Sequence, residues 1–120
     1  MIDKRKRLLI ADDNKEEREQ IAHFFSAKGH EVIQAESSKE ALSLSIRERI
    51  DAAILKGQLP GLTGYDIAPI IKKINPNIHI ILLLGKEFND DGIEDNKIDF
   101  FDCFEEPLNL DRLNQKISCT

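Results

Sequence analysis

The 120-residue sequence lacks tryptophan and has a single tyrosine, and it contains no apolar run of the about 18 residues that a membrane span requires. The basic start of the chain precedes only four apolar residues, 8–11, before Asp12 interrupts them. Four residues are too few for the apolar core of a signal peptide. We therefore expect a cytoplasmic protein.

The sequence also has few cysteines and histidines, two residue types that often bind metals or take part in catalysis. Its two cysteines, Cys103 and Cys119, do not have metal-ligand spacing, and we expect free thiols in a reducing compartment. The histidines His23, His30 and His79 are far apart and form no ligand pattern. There is no glycine-rich phosphate loop and no nucleophile elbow. We expect that the protein is not an enzyme.

Charge and length restrict the remaining classes. Seventeen basic residues stand against 22 acidic ones, a net charge of −5, which disfavours nonspecific binding to nucleic acid. The sequence is 41% apolar and 32% charged, which is typical of a folded globular domain. The length predicts one domain over residues 1–120, without a separate DNA-binding or catalytic module.

Short apolar runs alternate with segments of helical period. Nearly continuous apolar side chains indicate strands that are covered on both faces, and they occupy 8–11, 32–35, 52–55, 78–84 and 100–104. The clearest helical repeat is that of Ile67, Ile70, Ile71 and Ile74, and a second one links Leu42 and Ile46. Five strand–helix repeats predict an α/β fold, with a parallel sheet between two layers of helices.

Several residues mark where the helices begin and end. Helix N-caps are predicted at Asn14, at Ser37 or Ser38, and at Thr63. Pro69 lies inside the third helical pattern and removes one backbone hydrogen bond there. The fourth crossover, 86–99, is poor in large apolar residues and predicts a short, irregular or mobile helix.

Polar residues cluster where the predicted strands end. In open parallel sheets the functional crevice lies beyond the carboxyl ends of the strands. Those ends carry Asp12, Asp13, Lys56, Leu84, Gly85, Glu105 and Glu106.

The order of these motifs resembles a known family. LLIADDN before a helix, a strand leading into LPGLTG, an apolar strand and a last strand ending before a proline are similar to a receiver domain of bacterial two-component response regulators. The resemblance covers essentially the whole chain. It implies a flavodoxin-like (CheY-like) three-layer sandwich, with a five-stranded parallel sheet of order 2-1-3-4-5. It also implies phosphoryl transfer from a histidine kinase to an aspartate.

The resemblance assigns a role to each crevice position. Asp12 and Asp13 match the acidic pair that holds Mg²⁺. The phosphoacceptor aspartate lies four residues before the loop proline, and since that proline is Pro60, the matching residue is Lys56. The threonine or serine that ends the fourth strand matches Leu84, or Gly85 if the strand is shifted by one residue.

The last strand departs from the family in the same way. The lysine before its proline matches Glu106, and the aromatic switch residue matches Cys103. An ammonium cannot act as the carboxylate nucleophile of an aspartyl phosphate, and it repels a metal ion. We therefore expect a degenerate site with Mg²⁺ binding lost or weak, and no other cofactor.

The exchanged charges suggest a built-in cation. Lys56 would sit among Asp12, Asp13 and Glu106, where it would offset a cluster of partly buried carboxylates. The alternatives are that Lys56 or Glu106 points to solvent, and that Asp12 and Asp13 simply begin the first loop.

The sequence thus predicts a pseudo-receiver, a stand-alone interaction module of two-component signalling that works without phosphorylation. The resemblance implies a histidine kinase, a phosphotransfer protein or an output protein as partner, contacted through approximately residues 86–118. The oligomeric state is left open. Two alternatives stay open as well: a phosphoryl-accepting switch that uses Asp12 or Asp13, and a small-ligand sensor at the strand-end crevice.

Overall fold

The computed structural model describes residues 5–84, 102–105 and 109–118. In these residues strands and helices alternate along most of the chain. Their order is β1 (Arg7–Ala11), α1 (Lys15–Ala27), β2 (Glu31–Ala35), α2 (Ser38–Arg47), β3 (Ala52–Lys56), α3 (Gly64–Ile74), β4 (His79–Leu84), β5 (Asp102–Glu105) and α4 (Leu110–Ser118). The irregular helix predicted for 86–99 lies outside the described residues. No helix in the described part of the chain has the length and apolar character needed to cross a membrane.

The strands form one parallel sheet. The order β2-β1-β3-β4 confirms the predicted flavodoxin-like arrangement of the first four strands, and β5 is the neighbour of β4, with Leu84 opposite Glu105. In the centre of the sheet Ala11 pairs with Leu55. Asp12 and Lys56 are the next residues on these two strands, and the sheet therefore brings them to the same edge.

The apolar core lies in two layers, one on each face of the sheet. Because neighbouring residues of a strand point to opposite faces, Leu9 and Leu55 face one layer while Leu8 and Ile54 face the other. The first layer contains buried residues of α2 and α3, and the second contains buried residues of α1 and α4. Helices on both faces explain why the strand segments are apolar almost without interruption.

The predicted helix starts are confirmed. Asn14, Ser37 and Thr63 are the N-caps of α1, α2 and α3, and each side chain accepts a hydrogen bond from the backbone N–H three residues later. Pro69 lies inside α3, as predicted, and the helix continues past it to Ile74.

The predicted apolar stripe of α3 is only half right. Ile67 and Ile71 are buried, but Ile70 and Ile74 are 42% and 40% exposed. The buried side of α3 also includes Gly64 and the residues 65 and 68, so the line of contact with the sheet runs beside Ile70 and Ile74 rather than through them.

The second helix departs from its pattern for a similar reason. Ile46 is 69% exposed and Leu42 is only partly buried, although their spacing predicted a shared core face. The buried positions of α2 are held by the smaller Ser38, Ala41 and Ser45. Apolar spacing alone does not identify a face on which small residues make the close contact.

Candidate functional site

A cluster of charged side chains lies at the carboxyl edge of β1 and β3. Nζ of Lys56 is 3.5 Å from Oδ1 of Asp12, 3.7 Å from Oδ1 of Asp13 and 3.6 Å from Oε2 of Glu17. We call these four residues the Lys56 cluster. The side chain of Lys56 is 20% exposed, so it turns into the crevice rather than to solvent. The structure therefore brings Lys56 together with two of the three predicted carboxylates, Asp12 and Asp13, and adds Glu17, which was not predicted.

Asp12 is the most enclosed member of the Lys56 cluster, with no solvent exposure. Its Oδ1 accepts a hydrogen bond from the N–H of Asn14 at 2.9 Å, whereas Oδ2 is buried and has no hydrogen-bond partner. Burial raises the pKa of the Asp12 carboxyl above its ordinary value, because the Asn14 N–H and the Lys56 ammonium offset only part of the lost hydration.

For the pKa of Lys56, the neighbouring charges have a larger effect than burial. Burial by itself would lower the pKa of its ammonium, but the charges of Asp12, Glu17 and Asp13 outweigh burial and raise that pKa above its ordinary value. Lys56 is therefore a firmly protonated cation. Such a group donates hydrogen bonds and supplies positive charge, and it has no lone pair with which to attack a phosphoryl group.

The sequence analysis did not include Glu17, which lies in the first turn of α1, among the site residues. The Asn14 side chain accepts a hydrogen bond from the Glu17 N–H and so fixes the start of α1 beside the end of β1. Side chains of a helix lean toward its N-terminus, and this direction brings the Glu17 carboxylate back over the strand edge. Glu17 lies three residues after the capping residue Asn14, which directly follows Asp13, and this spacing is the signal that could have identified it.

Sequence reasoning also missed Arg18, whose guanidinium is buried beside the Lys56 cluster. Arg18 is 5% exposed. It donates to the backbone oxygen of Asp12 at 2.9 Å, to Oε1 of Gln34 at 3.0 Å and to Oε1 of Glu36 at 3.3 Å. It thereby ties the first loop of the crevice to β2 and to the residue that follows it.

The loop after Lys56 is fixed at two places, by the side chain of Ser38 and by the close approach of Gly64 to β3. The hydroxyl of Ser38 donates to the backbone oxygen of Pro60 at 3.0 Å and accepts from the N–H of Leu62 at 2.9 Å. Farther along, Gly64 lies so close to the end of β3 that a Cβ there would overlap the backbone oxygen of Lys56. The backbone that carries Lys56 is thus packed directly against the start of α3.

The other predicted site residues are placed as follows. Leu84, at the end of β4, is 8% exposed and belongs to the apolar core, and it has no hydroxyl with which to contact a phosphoryl oxygen. Cys103 lies in β5 opposite Leu82. Gly85 and Glu106 lie outside the described residues, so the pairing of Glu106 with Lys56 stays a prediction.

The donor set at this edge does not fit Mg²⁺ while Lys56 is in place. Two unit charges about 4 Å apart interact by about 4 kcal/mol at an effective dielectric constant near 20, and a divalent ion would meet about twice that repulsion. The carboxylate oxygens that a metal would use already face the ammonium. Within residues 5–84, 102–105 and 109–118, no group of three or more His, Cys, Asp and Glu side chains has an arrangement suited to a metal ion.

Comparison with known proteins relates this arrangement to one family. The sequence model of the response regulator receiver domain matches residues 8–118. The phosphate regulon transcriptional regulatory protein PhoB of Pseudomonas aeruginosa is 35% identical over 95 residues, 78% of this chain and 39% of that protein. Sporulation initiation phosphotransferase F of Bacillus subtilis is 26% identical over 111 residues, 92% of this chain and 90% of that protein.

Solved structures agree with the sequence comparison. A response regulator receiver domain protein of Clostridium thermocellum superposes with a TM-score of 0.86 at 30% identity, covering 95% of this chain and 92% of that one. The response regulator protein TrrA of Thermotoga maritima, in complex with Mg²⁺ and BeF, gives a TM-score of 0.83 at 28% identity, covering 95% and 97%. The chain spans less than half of PhoB and nearly all of the B. subtilis phosphotransferase.

Proposed function

Because this chain belongs to the response regulator receiver domain family of two-component signalling, we propose that it is a pseudo-receiver: an interaction module that works without phosphorylation of the usual site. The observation that carries the proposal is the residue at the tip of β3. This position has Lys56, whose ammonium faces Asp12, Asp13 and Glu17.

The chemistry of phosphoryl acceptance supports this reading. Formation of an aspartyl phosphate requires a carboxylate oxygen in line with the phosphodonor, and a protonated amine offers none. The position that would donate a hydroxyl to the phosphoryl group is the buried, apolar Leu84. A site without the carboxylate nucleophile and without this hydroxyl lacks the atom that would accept the phosphoryl group. It also lacks one of the groups that would hydrogen-bond to that phosphoryl group once it is attached.

The partners that we propose follow from the family. They are a histidine kinase, a phosphotransfer protein or an output protein, contacted through approximately residues 86–118. In the described part of that surface, α4 buries Leu113 and Ile117 against the core while Asp111 and Arg112 are exposed. These exposed charges are available to a partner.

A binding experiment tests this proposal. The protein is immobilised, its partners are recovered from a lysate of the source organism and identified, and the dissociation constant of each recovered signalling protein is measured with and without acetyl phosphate and Mg²⁺. We expect the same constant under both conditions. Binding that appears only after treatment with the phosphodonor would refute the proposal.

A pair of charge-reversal variants locates the surface. Arg112→Glu, on α4, should weaken binding at least about tenfold, because hot-spot arginines at interfaces commonly contribute more than about 1.4 kcal/mol. Lys39→Glu, on the exposed side of α2, is the matched control and should leave binding within about twofold. Equal effects of the two variants would contradict the assignment of the partner surface.

A further inference from the structure

We infer that Lys56 permanently occupies the cation position of this crevice, and that Glu17 supplies the third carboxylate that the tip of β3 no longer provides. This inference rests on the proposed function and deepens it, because it names what holds the site in one state without phosphate. It also predicts that replacing Lys56 by an uncharged residue lets a divalent cation bind among these carboxylates, whose arrangement does not suit a metal ion while Lys56 is present.

Three carboxylates from the loop after β1 and the first turn of α1 converge on Lys56. Asp12 and Asp13 follow β1, whereas Glu17 lies in the first turn of α1, and all three place an oxygen 3.5–3.7 Å from the same nitrogen. Three nearly equal distances to one atom, with Lys56 only 20% exposed, describe a cation enclosed by oxygen ligands.

One oxygen of Asp12, the buried member of the Lys56 cluster, lacks a hydrogen-bond partner. Asp12 is fully buried, and its Oδ2 has no hydrogen-bond partner. Buried polar atoms are nearly always hydrogen-bonded, and exceptions need an explanation. Oδ1 faces the Lys56 ammonium while Oδ2 remains without a donor, so Asp12 keeps one oxygen that a cation with more ligands could use.

Glu17 gives the crevice a third carboxylate, so the site has more than a lost phosphoacceptor. With an ammonium at Lys56 the acids are held by one positive charge. Without it, carboxylates from three residues would remain around the vacated position, and carboxylate oxygens are the ligands that hard divalent cations prefer. Lys56 therefore both blocks the site and, through its charge, keeps the acids together.

Manganese binding tests the inference. Mn²⁺ is a paramagnetic probe of hard-cation sites, and its free concentration is read by electron paramagnetic resonance during titration of the wild type, Lys56→Met and two double variants that add Glu17→Gln or Glu16→Gln. We expect at least about tenfold tighter binding by Lys56→Met than by the wild type. Glu17→Gln should then weaken that binding at least about tenfold, the scale expected for removing a group that tunes a metal site.

Glu16→Gln is the matched control, because Glu16 has the same charge, lies in the same helical turn and is exposed. It should leave Mn²⁺ binding by Lys56→Met within about twofold. Equal Mn²⁺ affinity of wild type and Lys56→Met, or equal effects of Glu16→Gln and Glu17→Gln, would overturn the inference.

A second measurement uses proteins that retain Lys56, and so does not depend on whether Lys56→Met folds. The rate at which an activated acetate ester acylates Lys56 is followed by peptide mass spectrometry, with exposed Lys39 as internal reference. Glu17→Gln should raise the relative rate several-fold, and Glu16→Gln should not. An unchanged rate in Glu17→Gln would show that Glu17 does not hold the ammonium.

These results separate the inference from the proposed function. If the wild type binds Mn²⁺ but its partner binding ignores the phosphodonor, the occupied cation position is refuted and the pseudo-receiver stands. If the wild type excludes Mn²⁺ but its partner binding requires the phosphodonor, the pseudo-receiver is refuted and the occupied cation position stands.

Discussion

Nζ of Lys56 lies 3.5 Å from Oδ1 of Asp12, a carboxyl group with no solvent exposure. The two residues are one position beyond the paired residues Ala11 and Leu55, so the register of β1 and β3 sets their separation. A buried carboxylate without a cation is costly, and a buried cation without a carboxylate is equally so. The pair is therefore a structural element of the strand edge, and it is also the feature on which the proposed loss of the phosphoacceptor rests.

Loss of the Lys56 charge should destabilise the fold. Lys56→Met keeps most of the side-chain volume but leaves Asp12, Asp13 and Glu17 without their shared cation. We expect a loss of about 2 kcal/mol in the free energy of unfolding, less than for a fully buried pair because Lys56 and two of its partners retain contact with water. Urea denaturation measures this loss in the free energy of unfolding. Lys39→Met, on the exposed side of α2, should change the value by less than about 0.5 kcal/mol, and equal losses would contradict the account.

The pH dependence of the Lys56 cluster follows from the direction of the pKa shift. The folded state holds the Lys56 proton more tightly than the unfolded chain, whose pKa is about 10.5. The stabilisation is therefore fully present below pH 10.5 and is lost as the pH rises through the higher pKa of the folded state. Wild type should lose more free energy of unfolding above pH 10.5 than Lys56→Met does. Parallel losses in the two proteins would argue against the ion cluster.

Replacing Arg18 by lysine should lower the free energy of unfolding. The guanidinium reaches Asp12, Gln34 and Glu36 at once through its separate N–H groups, and an ammonium cannot reproduce that spread. Arg18→Lys should cost about 2 kcal/mol in the free energy of unfolding. The exposed Arg49 provides the control, and Arg49→Lys should be neutral within about 0.5 kcal/mol. If Arg18→Lys were equally neutral, the hydrogen bonds of the Arg18 guanidinium would not contribute to stability.

Two glycines should respond to alanine very differently. At Gly64 a Cβ would overlap the backbone oxygen of Lys56, so α3 would have to move away from β3, and we expect a loss of about 3 kcal/mol in the free energy of unfolding. At Gly29 there is open space around the Cβ position, and only the positive φ of 95° opposes alanine, at about 1 kcal/mol. Thermal and urea denaturation compare the two variants. A smaller effect at Gly64 than at Gly29 would contradict the close packing of Lys56 and α3.

His30 should make the fold sensitive to mild acid at the opposite edge of the sheet. Burial and the nearby charge of Lys6 lower the pKa of His30, and its Nδ1 accepts the N–H of Lys6 at 3.1 Å, which requires an unprotonated nitrogen. Since the unfolded chain binds this proton more readily, stability is complete above about pH 6.5 and falls as the pH drops from there through the lower pKa of the folded state.

Asparagine keeps an acceptor near that nitrogen without titrating. Between pH 7.5 and pH 5, the wild type should therefore lose more free energy of unfolding than His30→Asn does. His23→Asn changes an exposed histidine of α1 and should behave like the wild type. If His30→Asn and the wild type lost stability in parallel, His30 would not be the titrating group.

The strands, the helix caps and the Lys56 position were predictable because each depends on local chemistry. A run such as 52–55, covered on both faces, must be apolar, and Asn14, Ser37 and Thr63 accept from backbone N–H groups only three residues away. Lys56 was found by counting back from Pro60, since the spacing between a strand end and its loop is short.

Other features of the site and the core depend on three-dimensional packing, which the spacing of residues along the sequence does not reveal. Glu17 joined the Lys56 cluster because the cap of α1 directs its first turn back over β1, and Arg18 because it spans from that loop to β2. Ile46 and Ile70 are exposed because the contact line of each helix is set by its packing partner, which their repeat does not reveal.

Phosphoryl transfer itself tests the central claim most directly. The wild type and Lys56→Asp are incubated with acetyl phosphate and Mg²⁺, and the intact mass of each protein is measured by mass spectrometry under conditions that preserve acyl phosphates. The account predicts that the wild-type mass does not change, because the residue at the tip of β3 is an ammonium. A wild-type mass increase of one phosphoryl group that disappears in Asp12→Asn or Asp13→Asn would contradict it and identify a different acceptor in the same crevice.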